Sequence, residues 1–396
     1  MRTTVVKRVG VALTIGAVAV SLAACSSSAK KPPTSNNTTG TTSGSTVNWA
    51  TAQSAQAGGG MDALVAAAKA EGTLNIIAVP RTWAGYGAII DAFTAKYGIK
   101  INSENPDGSS GDEMNAVTST KGQASAPDVV DIGNSYALSG AQAGDFSPYK
   151  VATWSDIPAA DKDSGGLWYA DYGGYVSIGC NAAKAGGACP TTIKALDNPA
   201  YKGKVALNGD PTSANAAFNA VWAAALANGG SATNIQPGID FFHKLNSEGI
   251  FNKTKVTPAT VQSGATPIVL DWDYLNVGNA AALLKAGVKW TTTVPSDGLV
   301  SGYYDQAISI NAAHPAAARL WEEFLYSQDP QAGQNGWLRG AARPIELVAM
   351  QAAGTADKTA LAALPTVNDA NPFNPTQDQI TAAKNVVTQK WAAAVS

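Results

Sequence analysis

The sequence predicts an α/β fold, a mostly parallel sheet covered by helices on both faces, and three observations predict it. Short apolar runs alternate with segments of helical periodicity. Gly, Pro, Asn and Asp punctuate the ends of those runs, where strands hand over to helices. The stretch from Met61 to Ser396 is too long for one small core and fits two domains of ordinary size. Alternating strands and helices imply the parallel arrangement.

The chain opens with an export signal. Arg2, Lys7 and Arg8 supply a positive start, and Val9 to Leu22 is an uncharged apolar stretch of secretory length, short for a membrane span. It ends in Leu22-Ala23-Ala24-Cys25, which is similar to a bacterial lipobox, in which the cysteine is acylated with diacylglycerol and palmitate and residues 1–24 are removed. Several acyl chains hold a protein on a membrane where one does not. Residues 25–60 follow, dominated by Ser, Thr, Asn, Gly, Ala and Pro, a composition that buries too little apolar surface to fold. They read as a flexible tether reaching on the order of 30 Å.

The folded body begins with Met61, Leu64, Val65 and Ala68 at helical spacing and Gly72 as the expected C-cap. Leu74 to Val79 is a strand, Tyr86 to Tyr97 a helix with Ile89, Ile90, Phe93 and Tyr97 on one face, and Ile99 to Glu104 a second strand. Ser110-Gly111-Asp112-Glu113 reads as a capping box opening the next helix. Val129 to Ile132 is a third strand, ending at Gly133-Asn134-Ser135. A second series starts with the apolar run Tyr175 to Ile178. It continues with the strand Lys204 to Leu207, the helix Ala214 to Asn228 and the strand Pro267 to Leu270, which delivers Asp271-Trp272-Asp273-Tyr274 at its end ahead of the helix Leu275 to Ala286. Ala307 to Ile310 is a returning strand, His314-Pro315 starts the helix Ala316 to Tyr326, and Thr376 to Ala394 is a last helix. There is no internal repeat.

Taken in order, these pieces resemble the extracytoplasmic solute-binding proteins of the type 2 periplasmic-binding fold, in the branch of ferric-ion and polyamine binders. The resemblance runs from Met61 to about Arg343. It is carried by Gly72-Thr73-Leu74-Asn75-Ile76, by Ala126-Pro127-Asp128-Val129-Val130-Asp131, by Tyr201-Lys202-Gly203-Lys204-Val205-Ala206-Leu207, and by Ala307-Ile308-Ser309 followed by His314 to Leu325. It implies two α/β lobes with the ligand in the cleft between them: residues 61–175 with 300–342 as one lobe, and 176–299 with 343–396 as the other. The crossovers would fall near Ala170 to Val176 and Val300 to Gln306. It also implies an ABC permease and its ATPase as partners, a monomer, and no cofactor.

Open α/β sheets hold ligands beyond the carboxyl ends of their strands. That rule selects Arg81, Thr82, Trp83, Ser109, Ser110, Asn134 and Ser135 from the first lobe, Asp171 and Tyr172 from the crossover, Asp210, Ser213, Asp271, Trp272, Asp273 and Tyr274 from the second lobe, and Tyr303 and Tyr304 from the return. Two chemistries compete for this set. The aspartates beside Trp83, Trp272 and Tyr274 suit a polyamine-like cation; Arg81 with the helix amino-termini after Ser110 and Asp210-Pro211 suits a phosphonate, phosphate or carboxylate. The cation is preferred. For ferric ion, Tyr303-Tyr304 is a candidate pair, but it precedes the returning strand, whereas the resemblance puts iron tyrosines near Asp271 to Tyr274, and His243 and His314 lie in helical contexts. No metal site is assigned.

With Cys25 lipidated, Cys180 and Cys189 are the two remaining cysteines of three, in a compartment that permits oxidation, and a disulfide between them is expected, free buried thiols being the other possibility. A net charge of -2 gives no electrostatic case for nucleic acid. A lipid-anchored extracytoplasmic hydrolase lacks support: there is no nucleophile-elbow pattern and no paired-histidine zinc helix, and the chain has two histidines. A membrane-coupled sensor would use the same cleft. The expected mechanism is therefore capture: the ligand bridges both lobes, favours the closed arrangement by its differential affinity, and the closed form docks on the permease.

Overall fold

The structure, a computed structural model, describes residues 47–367, 373 and 375–396, and residues 47–396 form one unit. Cys25, the expected export signal and the expected tether up to residue 46 lie outside the described residues. Residues 47–60 are not tether. They fold over the body in turns that bury Trp49, Ala52 and Ala55, and Arg319 donates from Nε to Ala52 O at 2.7 Å and from Nη2 to Ala50 O at 3.1 Å. One tryptophan and a buried guanidinium seeking acceptors outweigh the polar composition of the segment.

The helices are α1 Met61–Glu71, α2 Tyr86–Tyr97, α3 Ser110–Ser119, α4 Asn134–Ala143, α5 Ala182–Ala185, α6 Asn215–Ala227, α7 Gln236–Ser247, α8 Pro258–Ser263, α9 Asp273–Lys285, α10 Pro315–Leu325, α11 Gly333–Arg339, α12 Leu347–Ala353, α13 Lys358–Ala363 and α14 Gln377–Ala394. The strands are β1 Thr73–Ile77, β2 Lys100–Glu104, β3 Val129–Gly133, β4 Phe146–Ser147, β5 Tyr169–Asn181, β6 Val205–Leu207, β7 Ile268–Trp272, β8 Trp290–Thr293, β9 Ser301–Ser309 and β10 Arg343–Pro344. Gly72 closes α1 in the left-handed region, its N–H returning to Ala68 O. The apolar stripe of α2 meets α10, with Phe93 edge-on to Trp321 at 5.1 Å. The capping box of α3 lies one residue earlier than its sequence pattern suggests. Ser109 is the cap and Asp112 its reciprocal partner, which frees Ser110 Oγ to accept from Gly133 N at 3.1 Å.

The sheet corrects the expectation of a mostly parallel arrangement. β1–β2 and β6–β7 pair parallel, but β3–β9, β5–β9, β5–β7, β5–β8, β4–β9 and β5–β10 are antiparallel, in the order β3-β9-β5-β7-β6. The reason is the pair of crossover strands. β5 carries the chain out of the first strand group and β9 brings it back, so each runs against its neighbours. β5 pairs with β9 and β10 through Tyr169 to Tyr175 and with β7 and β8 through Val176 to Asn181, so one 13-residue strand belongs to both groups. Where β5 crosses β9 the backbones are too close for a side chain at Gly173, whose Cβ would lie 2.2 Å from Gly302 O, and at Gly174 a Cβ would collide with the Asp273 carboxyl of α9, 2.2 Å from Oδ1.

The C-terminal region divides. α14 packs on α7, with Trp391 edge-on to Phe242 at 5.5 Å. Residues 346–357, part of the 343–396 stretch that the sequence reading assigns to the second lobe, bond to the first group instead: Glu346 accepts from Thr153 Oγ1 and Gln328 Nε2, and Asp357 N donates to Asn335 Oδ1. Cys180 and Cys189 are joined by a disulfide.

Candidate functional site

A cleft of about 740 Å³ opens where the loops after β1, β2, β6 and β7 converge. Trp83, Ser109, Ser110, Asp210 and Asp271 line it, as do Thr82, Ser213, Tyr172 and Tyr304. The other expected residues do not. Arg81 is exposed and turned to the outside, paired with Asp91 at 2.6 Å. Asn134 donates to Asp305 Oδ2 at 2.9 Å, and Ser135 sits beside it in the first turn of α4. Asp171 is wholly buried beneath the floor, and Trp272 and Tyr274 stand behind Trp83 and Tyr304 as buttresses, Tyr274 edge-on to Trp83 at 6.4 Å and Trp272 edge-on to Tyr304 at 6.4 Å. Asp273 is buried against Arg343, Nη1 to Oδ2 at 2.7 Å. Tyr303 and Tyr304 are successive residues of β9 and so point to opposite faces. Tyr304 reaches the cleft and Tyr303 lies a third exposed on the other side, so the two cannot clasp one ion. Among the described residues no group of three or more His, Cys, Asp or Glu is placed to hold a metal.

The floor joins Tyr172 and Asp271, which the sequence selects, to Asp131 and Tyr86, which it does not. Asp131, on β3, was absorbed into an apolar strand run, although an acid between Val130 and Ile132 was the available signal. Its Oδ2 accepts from Tyr86 Oη at 2.8 Å and Tyr172 Oη at 3.0 Å, and its N–H donates to Glu113 Oε2 at 2.9 Å. Tyr172 reaches the floor because the β5–β9 register shifts between Ala170 and Gly173, and such a bulge re-aims the side chains it carries. Asp271 is held by Asn208 Nδ2 at 2.9 Å and by Trp272 N at 2.8 Å. Tyr172 and Tyr304 stack at 5.8 Å and 10°, and Trp83 meets Tyr304 edge-on at 5.8 Å, giving an aromatic wall beside the carboxyls.

The floor and the layer beneath it are acidic and buried. Asp131, Asp171, Asp271, Asp305 and Glu113 are all buried, and among the described residues none lies within ion-pairing distance of a basic side chain. Burial pushes Asp131 and Asp271 up to about 7, in each case against the hydrogen bonds they accept. Burial, reinforced by the charge of Asp131, drives Asp171 and Glu113 well above the usual carboxylate range, and burial does the same to Asp305. At the rim the charges are mixed and exposed: Asp107, Asp112 and Asp210 face Lys253 and Lys255. Asp210 is engaged in its own turn, accepting from Thr212 N at 2.7 Å and Thr212 Oγ1 at 2.6 Å. No helix among the described residues is long and apolar enough to cross a membrane.

A family model described as bacterial extracellular solute-binding protein matches residues 125–349, more than half of the chain. Among solved structures, the fold is similar to that of the periplasmic binding protein AfuA from Actinobacillus pleuropneumoniae with fructose-6-phosphate bound (TM-score 0.62, 19% identity, 82% of this chain and 99% of that one). Iron-bound HitA from Pseudomonas aeruginosa aligns with TM-score 0.58 and 20% identity over 80% of this chain and 97% of its own. A periplasmic thiamin binding protein aligns with TM-score 0.60 and 17% identity over 82% and 96%. At these identities the likeness is one of fold. No curated protein matches the chain in sequence.

Proposed function

We propose that this chain, which belongs to the bacterial extracellular solute-binding proteins, captures a small cationic amine of the polyamine type outside the membrane and delivers it to an ABC permease. Acyl chains on Cys25 would keep it at the membrane surface, with the tether up to residue 46 as spacer. Residues 61–175 with 300–342 would act as one lobe and 176–299 as the core of the other, hinged along β5 and β9. A solute bridging them favours closure by its differential affinity for the closed state. The neighbours in fold are an iron-bound protein, a fructose-6-phosphate-bound protein and a thiamin binding protein, chemically unlike one another, so the choice of class rests on this cleft.

The observation that carries the reading is the floor: carboxyls buried without a basic partner beside a wall of Trp83, Tyr172 and Tyr304. An ammonium group there gains charge-assisted hydrogen bonds and aromatic faces in a poorly screened environment. An anion would face buried acids, and its supporters, Lys253 and Lys255, sit exposed at the rim where water and salt weaken them. The test is a thermal-shift screen of the protein against putrescine, spermidine, aminoethylphosphonate, phosphate, thiamine and ferric citrate. Stabilisation by the amines, lost in Asp271→Ala and in Asp131→Ala, is expected; stabilisation by the anions alone overturns the amine reading.

A further inference from the structure

Asp131 differs from the other acids of the floor. It lines the cleft, it is more than nine-tenths buried, and while its Oδ2 takes two tyrosine hydroxyls its Oδ1 takes no hydroxyl, amide or basic donor among the described residues. Beneath it lies Asp171, fully buried, with Oδ2 accepting from Gln306 Nε2 at 2.7 Å and Oδ1 accepting from Tyr172 N. Gln306 Nε2 also reaches Tyr86 Oη at 3.1 Å, so the two carboxyls share one polar network. The Asp171 carboxyl is in hydrogen-bond contact with that of Asp131. Two carboxyls in such contact hold a proton between them, because neither can donate when both are ionised, and they titrate as a pair.

The titratable groups facing Asp131 are Glu113 on α3, Tyr86 on α2, Asp171 and Tyr172 on β5, Tyr304 and Asp305 on β9, Tyr274 on α9 and Glu322 on α10. All are acids or phenols. Nothing in this set offsets a negative charge on the pair, and a cation entering the cleft is what can.

We propose that Asp131 accepts the cationic group of the solute and that the proton it shares with Asp171 leaves to solvent as the solute binds, making capture a one-for-one exchange of cation for proton. The inference rests on the amine reading of the cleft. Asp131 is the specificity-determining contact and Asp171 a positioning residue that stores the proton. The pair passes from neutral to one negative charge, which stays on Asp131, and the incoming ammonium balances it.

The experiment is calorimetric titration of the full chain with putrescine as probe, in buffers of different ionisation enthalpy, repeated from pH 5 to 7. The expected result is release of about one proton per binding cation, with affinity tightening as pH rises by up to about tenfold per pH unit, the slope of one proton exchanged. Asp171→Asn should still bind putrescine but lose the proton release and flatten the pH profile, and Asp131→Asn should weaken binding at least about tenfold, the loss of one charge-assisted contact. Binding whose heat is the same in every buffer, or an Asp171→Asn protein that releases the same proton, overturns the exchange and leaves the amine reading standing. Absence of diamine binding at every pH overturns both. The buffer series on the unaltered protein decides the point whether or not the variants fold.

Discussion

Replacing Arg343 by Met should cost about 3 kcal/mol of unfolding free energy, and the structure sets that figure. Arg343 sits on β10 beside the crossover, opposite Gly173. Its Nη1 holds Asp273 Oδ2 at 2.7 Å, its Nη2 donates to Pro365 O at 3.0 Å, and its guanidinium lies 5.0 Å from the centre of the Tyr175 ring. Asp273, at the first turn of α9, is 0% exposed. Methionine keeps the apolar contact and removes every donor, leaving a carboxylate oxygen buried and unpaired. Breaking a buried pair by removing one partner costs about 3–5 kcal/mol. Asp273 Oδ1 keeps the amides of Tyr175 and Tyr274, both at 3.0 Å, which argues for the lower end. The assay is urea unfolding at pH 7 followed by tryptophan fluorescence. With a slope of about 3 kcal/mol/M, the midpoint falls by about 1 M. Adding Asp273→Asn removes the orphaned charge and should recover part of the loss. A single variant within about 1 kcal/mol of the parent, or a double variant no more stable than the single, would refute the reasoning.

Three further outcomes follow from the same structure. Asp271, raised by burial to about 7, binds a proton in the folded state across a range where the unfolded chain has released it, so its contribution to stability falls as pH rises from about 4 through 7; Asp271→Asn should therefore gain on the parent in urea melts as pH goes from 5 to 8, and a gap that shrinks contradicts the assignment. Cys180→Ser with Cys189→Ser opens a link between positions 9 residues apart and should lower stability by about 2–3 kcal/mol by loop-closure entropy, measured as the urea midpoint of parent against double variant. Trp49→Ala should cost about 3–5 kcal/mol as a buried aromatic truncation, whereas a residue of a free tether would cost nothing.

The fold was legible where local rules agree. Gly72 after a helical stripe, the Tyr86–Tyr97 periodicity and Pro315 at a helix start placed α1, α2 and α10 within a residue, because each boundary is set by a cap or breaker in the sequence itself. The strand directions were not legible, since β9 looks the same in either sense and its placement between β3 and β5 is a long-range choice. Loop position leads to Trp83, Ser109, Ser110, Asp210 and Asp271, which line the cleft. It failed for Arg81, which has an exposed partner in Asp91 on the next helix, and for Trp272, which the alternation of β7 turns inward. It also missed Asp131, whose neighbours Val130 and Ile132 made it look like core. Tyr172, selected from the crossover, reaches the floor through a bulge that the residue pattern does not show. Residues 47–60 misled by composition alone, because Trp49 is the one aromatic residue in a run of small and polar residues but buries against Gly58, where a side chain would collide with its ring.

The most direct test of the central claim is the crystal structure of the protein grown with putrescine or spermidine. The account predicts the solute in the cleft, its methylenes against Trp83 and Tyr304 and an ammonium nitrogen about 2.7–3.2 Å from a carboxylate oxygen of Asp131 or Asp271. A solute held at the rim by Lys253 and Lys255, or a cleft that takes only anions, would contradict it.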